Sequence, residues 1–132
     1  MLLVDTNVLL DVLKRAPIWW EWSARQLRMQ SRVHELAINP VVYAEISPTF
    51  ESPAHLDDRL EEMEMSYRDL SREVMFLAGH VHRRYRQAGG SREQLLADFI
   101  IGAHAMVLGC GILTRDARRY RNYFPRVPVI TP

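Results

Sequence analysis

The chain is poor in the residues that staple or bridge a small fold. Only one of its 132 residues is a cysteine, Cys110, in the apolar stretch VLGCGIL. An internal disulfide is excluded, and the thiol reads as a small buried side chain in a reducing compartment. No staple is needed, because a domain of this length buries most of its unfolded surface. Nor is there an apolar run long enough to span a bilayer. Asp5 interrupts the one at the start, and no basic segment precedes it. That start does not read as a secretory leader, so a soluble, cytoplasmic protein is expected. Linkers, internal repeats and low-complexity segments are absent as well, which predicts a single domain over 1–132.

Lysine is almost missing: Lys14 stands against sixteen arginines, a ratio that coding bias alone could produce. The distribution of charge carries more information than the net value of +1. Residues 80–132 hold nine arginines and three acids, a net +6, whereas residues 1–79 hold eight basic and thirteen acidic groups, a net −5. A basic half of this kind suits a phosphate-bearing partner, although a solvated basic face would look the same.

Hydrophobic spacing lays out an alternating pattern. Leu2-Leu3-Val4 reads as a short buried strand, and Asn7–Lys14 as a helix with Val8, Leu9, Val12 and Leu13 on one face. Pro17 opens a second helix containing Trp19, Trp20, Trp22 and Leu27. A strand over 35–38 follows, then a helix over 41–46 between Pro40 and Pro48. Leu56, Leu60, Met63 and Tyr67 predict one continuous helix, and a longer one runs from Ser71 to about Ala88, stopped by Gly89-Gly90. Ser91 to Gln94 forms an S-x-x-Q capping box for a helix reaching Leu108. A strand over 111–114, a helix over 116–123 and an edge strand over 127–130 complete the chain. Strands alternating with helices predict an α/β fold with a mostly parallel sheet covered on both faces.

Four acids fall where such a fold would not choose them. Asp5 follows the first strand and Asp116 follows the strand in ILTRD. In an open α/β sheet the carboxyl ends of strands line the ligand crevice, so both would face it. Glu45 lies in the otherwise apolar VVYAEI, and Asp98 in LLADFIIG, a helix apolar almost all round. Gly102, one turn beyond Asp98, is expected to leave open space above it. Each acid has a plainer reading: a helix cap for Asp5 and Asp116, a surface acid for Glu45, a salt bridge for Asp98. Joint coincidence is less probable than any one of these. Carboxylates gathered in one crevice repel each other, and their pKa values rise unless a cation neutralises them. A hard divalent ion, Mg²⁺ or Mn²⁺, suits an all-carboxylate site. The five histidines show no zinc spacing; His80 and His82 do not share a helix face.

The ordered set VDTNVLLD, NPVVYAEIS, LLADFIIGAHAMVLG and ILTRDARRY resembles the PIN-domain ribonucleases, most of all the VapC toxins of bacterial VapBC toxin–antitoxin pairs. The resemblance spans essentially the whole chain. It implies a three-layer α/β/α sandwich around a short parallel sheet and a metal-dependent endoribonuclease whose acidic quartet is Asp5, Glu45, Asp98 and Asp116. Asp5, Asp98 and Asp116 would contact the Mg²⁺ or Mn²⁺ ion, with Glu45 holding a second, weaker ion or orienting the water. Thr6 and Asn7 match the polar residues after the first acid, and Thr114 the hydroxyl before the last. Attack by a metal-activated water would leave 5′-phosphate and 3′-hydroxyl ends. Arg115, nearest the last acid, with Arg118 and Arg119, would meet the RNA backbone; Arg83, Arg84, Arg86, Arg92 and Arg121 extend the basic rim.

The resemblance also implies a homodimer and a VapB-like antitoxin whose tail crosses the site. The tryptophan helix and the helix around 56–67 would form its groove, with Trp19 and Trp22 on one face and Trp20 pointing elsewhere. The competing class is a non-catalytic cation-binding PIN-like interaction module. A receiver-like domain is disfavoured because Lys14 is not after a late strand. A metal-dependent phosphatase would share the carboxylates but need a smaller, deeper pocket.

Overall fold

The computed structural model describes residues 1–90 and 96–132. Five parallel strands form one sheet: β1 (Leu2–Val4), β2 (Leu36–Ile38), β3 (Met65–Tyr67), β4 (Gly111–Leu113) and β5 (Val129–Ile130). Their spatial order is β3-β2-β1-β4-β5. From β1 the chain therefore builds outward through β2 and β3, then returns to the other side of β1 with β4 and β5. The reversal falls between β1 and β4, where a crevice opens beyond the strands' carboxyl ends. Register across that seam pairs Leu2 with Gly111, Leu3 with Ile112 and Val4 with Leu113.

Seven helices flank the sheet among the described residues: α1 (Thr6–Leu13), α2 (Trp20–Ser31), α3 (Pro40–Ile46), α4 (Pro53–Glu62), α5 (Arg72–Gln87), α6 (Leu96–Leu108) and α7 (Arg118–Tyr123). This is the three-layer α/β/α arrangement expected. Caps set the boundaries. Asn39, Ser52 and Ser71 accept from the backbone N–H three residues on, at the starts of α3, α4 and α5, and Pro40 and Pro53 occupy the first helical positions. The three central strands β1, β2 and β4 are buried nearly throughout, with Leu3, Ile38, Ile112 and Leu113 in the centre of the core. Phe99 and Ile101 of α6 join them, as do Tyr120 of α7 and Phe124 just beyond it. Cys110 is a buried free thiol, as expected. No helix among the described residues is long and apolar enough to cross a membrane. The predicted capping box and Arg92 lie outside the described residues.

Two expectations fail. The continuous helix through Tyr67 is instead α4 followed by β3. Helix α4 ends at Glu62, and Glu64 takes a left-handed conformation, φ +55°, that turns the chain into the sheet. Leu56, Leu60, Met63 and Tyr67 keep helical spacing across this break, and no glycine or proline marks it, so the pattern hid the strand. The space expected above Gly102 is also absent: a Cβ there would overlap the Phe124 ring. The glycine is a close-packing point, not an opening.

A cluster of acids at the β1–β4 seam

Asp5 is the single residue between β1 and α1, and it caps α1. Its backbone N–H donates to Leu113 O at 2.9 Å, extending the ladder to β4, and its Oδ1 accepts from Thr6 N at 2.7 Å. The helix-cap and crevice readings of Asp5 are thus both correct, since the strand end and the helix start coincide. Oδ2 accepts from the Thr114 hydroxyl at 2.8 Å and from the Tyr120 hydroxyl at 2.9 Å. Only 6% of Asp5 is exposed. Burial pushes its carboxyl from an ordinary 3.8 to about 6, the nearby Asp98 charge adds to the rise, and the three hydrogen bonds restrain it. The same surroundings hold the Tyr120 hydroxyl well above its usual range.

A small polar lattice fixes the neighbours. Thr114 is fully buried; its oxygen donates to Asp5 and accepts from Asn7 Nδ2 and Asp116 N, both at 3.2 Å. Asn7 Oδ1 accepts from Arg115 N at 3.1 Å, so this residue laces α1 to the loop after β4 and does not cap its helix. The Thr6 hydroxyl donates to Glu45 Oε1 at 2.8 Å, which ties α3 to the strand end. Glu45 itself is exposed, at the mouth.

Asp98 projects from the first described turn of α6 and pairs with Arg119 Nη1 at 2.9 Å. Burial raises its pKa, opposed by Arg119 and reinforced by Asp116. Asp116 is exposed, and the Arg118 guanidinium beside it lowers its pKa. One cavity of about 650 Å³ unites the group: Asp5, Thr6, Asn7, Glu45, Asp98, Asp116, Arg118 and Arg119 all line it, together with Leu10, Tyr85, Asn122 and Tyr123. All four predicted acids thus share one crevice at the β1–β4 seam. As the side chains stand, no group of three or more acidic, histidine or cysteine residues among the described residues converges closely enough to grip a metal ion.

Arg115 departs from expectation. Its Nε bonds Asp11 Oδ2 at 2.7 Å and its guanidinium lies 5.2 Å from the Trp19 ring centre, so the side chain points away from the crevice. Asp11 is the reason: it is buried on α1 and also accepts from the Ser23 hydroxyl at 2.7 Å. Without a cation it would be a buried, uncompensated charge. Sequence reasoning missed Asp11 and Tyr120. An acid inside the apolar VLLDVL was a readable signal for the first; Tyr120 looks like any core aromatic. Trp19 and Trp22 do meet edge-on, at 6.3 Å, and Trp20 is 39% exposed. Helix α2 rests on α1, whereas α4 packs on β3; part of the expected groove wall, over 65–67, is strand.

The PIN domain family model matches residues 2–125, and the chain belongs to that family. No curated protein sequence matches it. Its fold is similar to a chain in the crystal structure of VapBC2 from Rickettsia felis bound to a DNA fragment from their promoter, with a TM-score of 0.74 and 16% identity over 98% of this chain and 97% of that one. A chain of DNA-bound VapBC from Salmonella typhimurium gives 0.71 and 16% over 99% and 98%. One from a toxin–antitoxin complex of Klebsiella pneumoniae gives 0.64 and 20% over 100% and 98%.

Proposed function

We propose that this chain is a VapC-type toxin: a metal-dependent endoribonuclease that hydrolyses RNA phosphodiester bonds in the cytoplasm, inhibiting translation until a VapB-like antitoxin neutralises it, and that it works as a homodimer. One observation carries the nuclease reading. Four acids from the end of β1, from α3, from α6 and from the loop after β4 line a single cavity. Membership of the PIN domain family and the likeness to chains of toxin–antitoxin complexes support the rest.

The donor set is all oxygen, which suits Mg²⁺ or Mn²⁺. A divalent charge would relieve the cost of ionising Asp5, which burial and the Asp98 charge impose. Asp5, Asp98 and Asp116 would hold the ion, and Glu45 a second one or the water. When bound, such an ion neutralises the phosphate and lowers the pKa of the attacking water. The protein's own part is positional. Three donors fix the Asp5 carboxylate, Thr6 orients Glu45, and the lattice of Asn7 and Thr114 holds the Asp116 loop in place. Arg118 and Arg119 stand at the rim to meet phosphate oxygens. In-line hydrolysis leaves 5′-phosphate and 3′-hydroxyl ends.

The test is cleavage of total cellular RNA by the purified chain. Cutting with Mg²⁺ or Mn²⁺, stopped by EDTA and lost in Asp5→Asn, is the expected result, with the new ends mapped by sequencing. Cation binding without cutting would leave a non-catalytic module, and turnover of small phosphate esters alone would leave a phosphatase.

A further inference from the structure

Two of the three acids assigned to a metal already carry arginines, and the two pairs are unlike. Arg118 and Asp116 are 89% and 56% exposed, so water screens them. Arg119 and Asp98 are only 23% and 28% exposed. The Arg119 guanidinium is also seated on aromatic faces, its carbon 5.2 Å from the Tyr85 ring centre and 6.0 Å from that of Phe99. These rings come from α5 and α6, so packing from two helices places the charge against Asp98.

We propose that Arg119 is the resident counter-ion of Asp98, that a divalent cation entering the acid cluster displaces it, and that the displaced guanidinium then binds the substrate phosphate. The proposal rests on the nuclease reading above and adds an ordered exchange to it. A carboxylate oxygen 2.9 Å from a guanidinium nitrogen cannot also face a doubly charged ion without bringing the two cations together. The exchange accounts for an otherwise awkward pairing of facts: the four acids share a cavity, yet no three of the described ones converge as a metal cluster. The aromatic seat makes the movement small. A guanidinium resting on a ring face pivots about its stem while keeping the stacking contact. Once turned, its planar fork matches two phosphate oxygens. The residue therefore serves one anion before loading and another after it, which couples ion binding to substrate binding.

The experiment uses the full chain, without RNA, and measures Mn²⁺ binding by titration calorimetry at fixed pH and salt. Arg119→Met keeps a long apolar side chain on Tyr85 and Phe99 while removing the charge. Its Mn²⁺ affinity should rise roughly tenfold or more, whereas kcat/KM on RNA at saturating Mn²⁺ should fall. Arg119→Lys, which keeps a charge but loses the fork, should bind Mn²⁺ with intermediate affinity, and it carries the test if the methionine variant does not fold. Unchanged or weaker Mn²⁺ affinity in both variants would overturn the exchange and leave Arg119 as a simple orienting partner of Asp98. Absence of Mn²⁺ binding in the native chain and both variants would overturn the nuclease reading, and the exchange with it.

Discussion

Asp5 is where fold and chemistry compete. Its folded pKa, about 6, lies above the ordinary 3.8, so the folded state holds the proton more tightly than the unfolded chain does. The contribution of this group to stability is therefore greatest below about pH 4 and declines as the pH rises through about 6. At neutral pH the ionised carboxylate costs about 2–3 kcal/mol. Asp5→Asn should raise the stability measured by urea unfolding at pH 7.5, by about 1–2 kcal/mol in metal-free buffer, while cleavage falls below detection. Under the nuclease reading a cation must displace that proton, so Mn²⁺ affinity should climb with pH up to about 6 and then level off; titration calorimetry at a series of pH values checks this. Tyr120 supplies a separate test. Tyr120→Phe keeps the ring in the core but removes one of the two donors to Oδ2. Turnover should drop about tenfold, with a stability change of only about 1 kcal/mol.

Among the elements, the strands and helices nearest the seam were the most legible. The acid after LLV, the ILTRD strand end, Pro40 at the start of α3 and Ser71 at the start of α5 are local signals, and they lie where the spacing puts them. What stayed hidden depends on partners distant in sequence. Helix α4 and strand β3 share one apolar spacing and divide only because Met65–Tyr67 finds β2 to pair with. Arg115 reads as a phosphate ligand from its position beside Asp116, yet buried Asp11 on α1 claims it. Tyr120 reads as core, and it is core, but its hydroxyl reaches across to a residue 115 positions earlier. The α4–β3 junction is testable. Glu64 holds φ +55°, a strain glycine does not feel, so Glu64→Gly should stabilise the fold by about 0.5–1 kcal/mol in thermal or urea unfolding. Gly102→Ala should do the opposite, by about 1–3 kcal/mol, because the Phe124 ring leaves no room for the added methyl.

For the whole molecule, the division of charge sets how a polyanion is met. The carboxylates sit at the centre with Arg118 and Arg119 beside them, so under the nuclease reading the long-range field of the second half would draw RNA in while the centre would repel it until cations are present. Binding should therefore weaken steeply with salt. Arg118→Glu, which reverses an exposed rim charge, should flatten the slope of log K against log salt by about 1. An unchanged slope in filter-binding or anisotropy titrations would place the RNA on another face.

The seam between β1 and β4 joins residues far apart along the chain: Thr114 reaches Asp5 across 109 positions. A nascent polypeptide that has emerged only as far as α5 already carries Asp5 and Glu45, but neither Thr114 nor Tyr120 exists yet to organise them. Under the toxin reading, the ribosome that synthesises this protein is safe from it until β4 and α7 have emerged. Prematurely terminated fragments are then harmless to the cell that makes them.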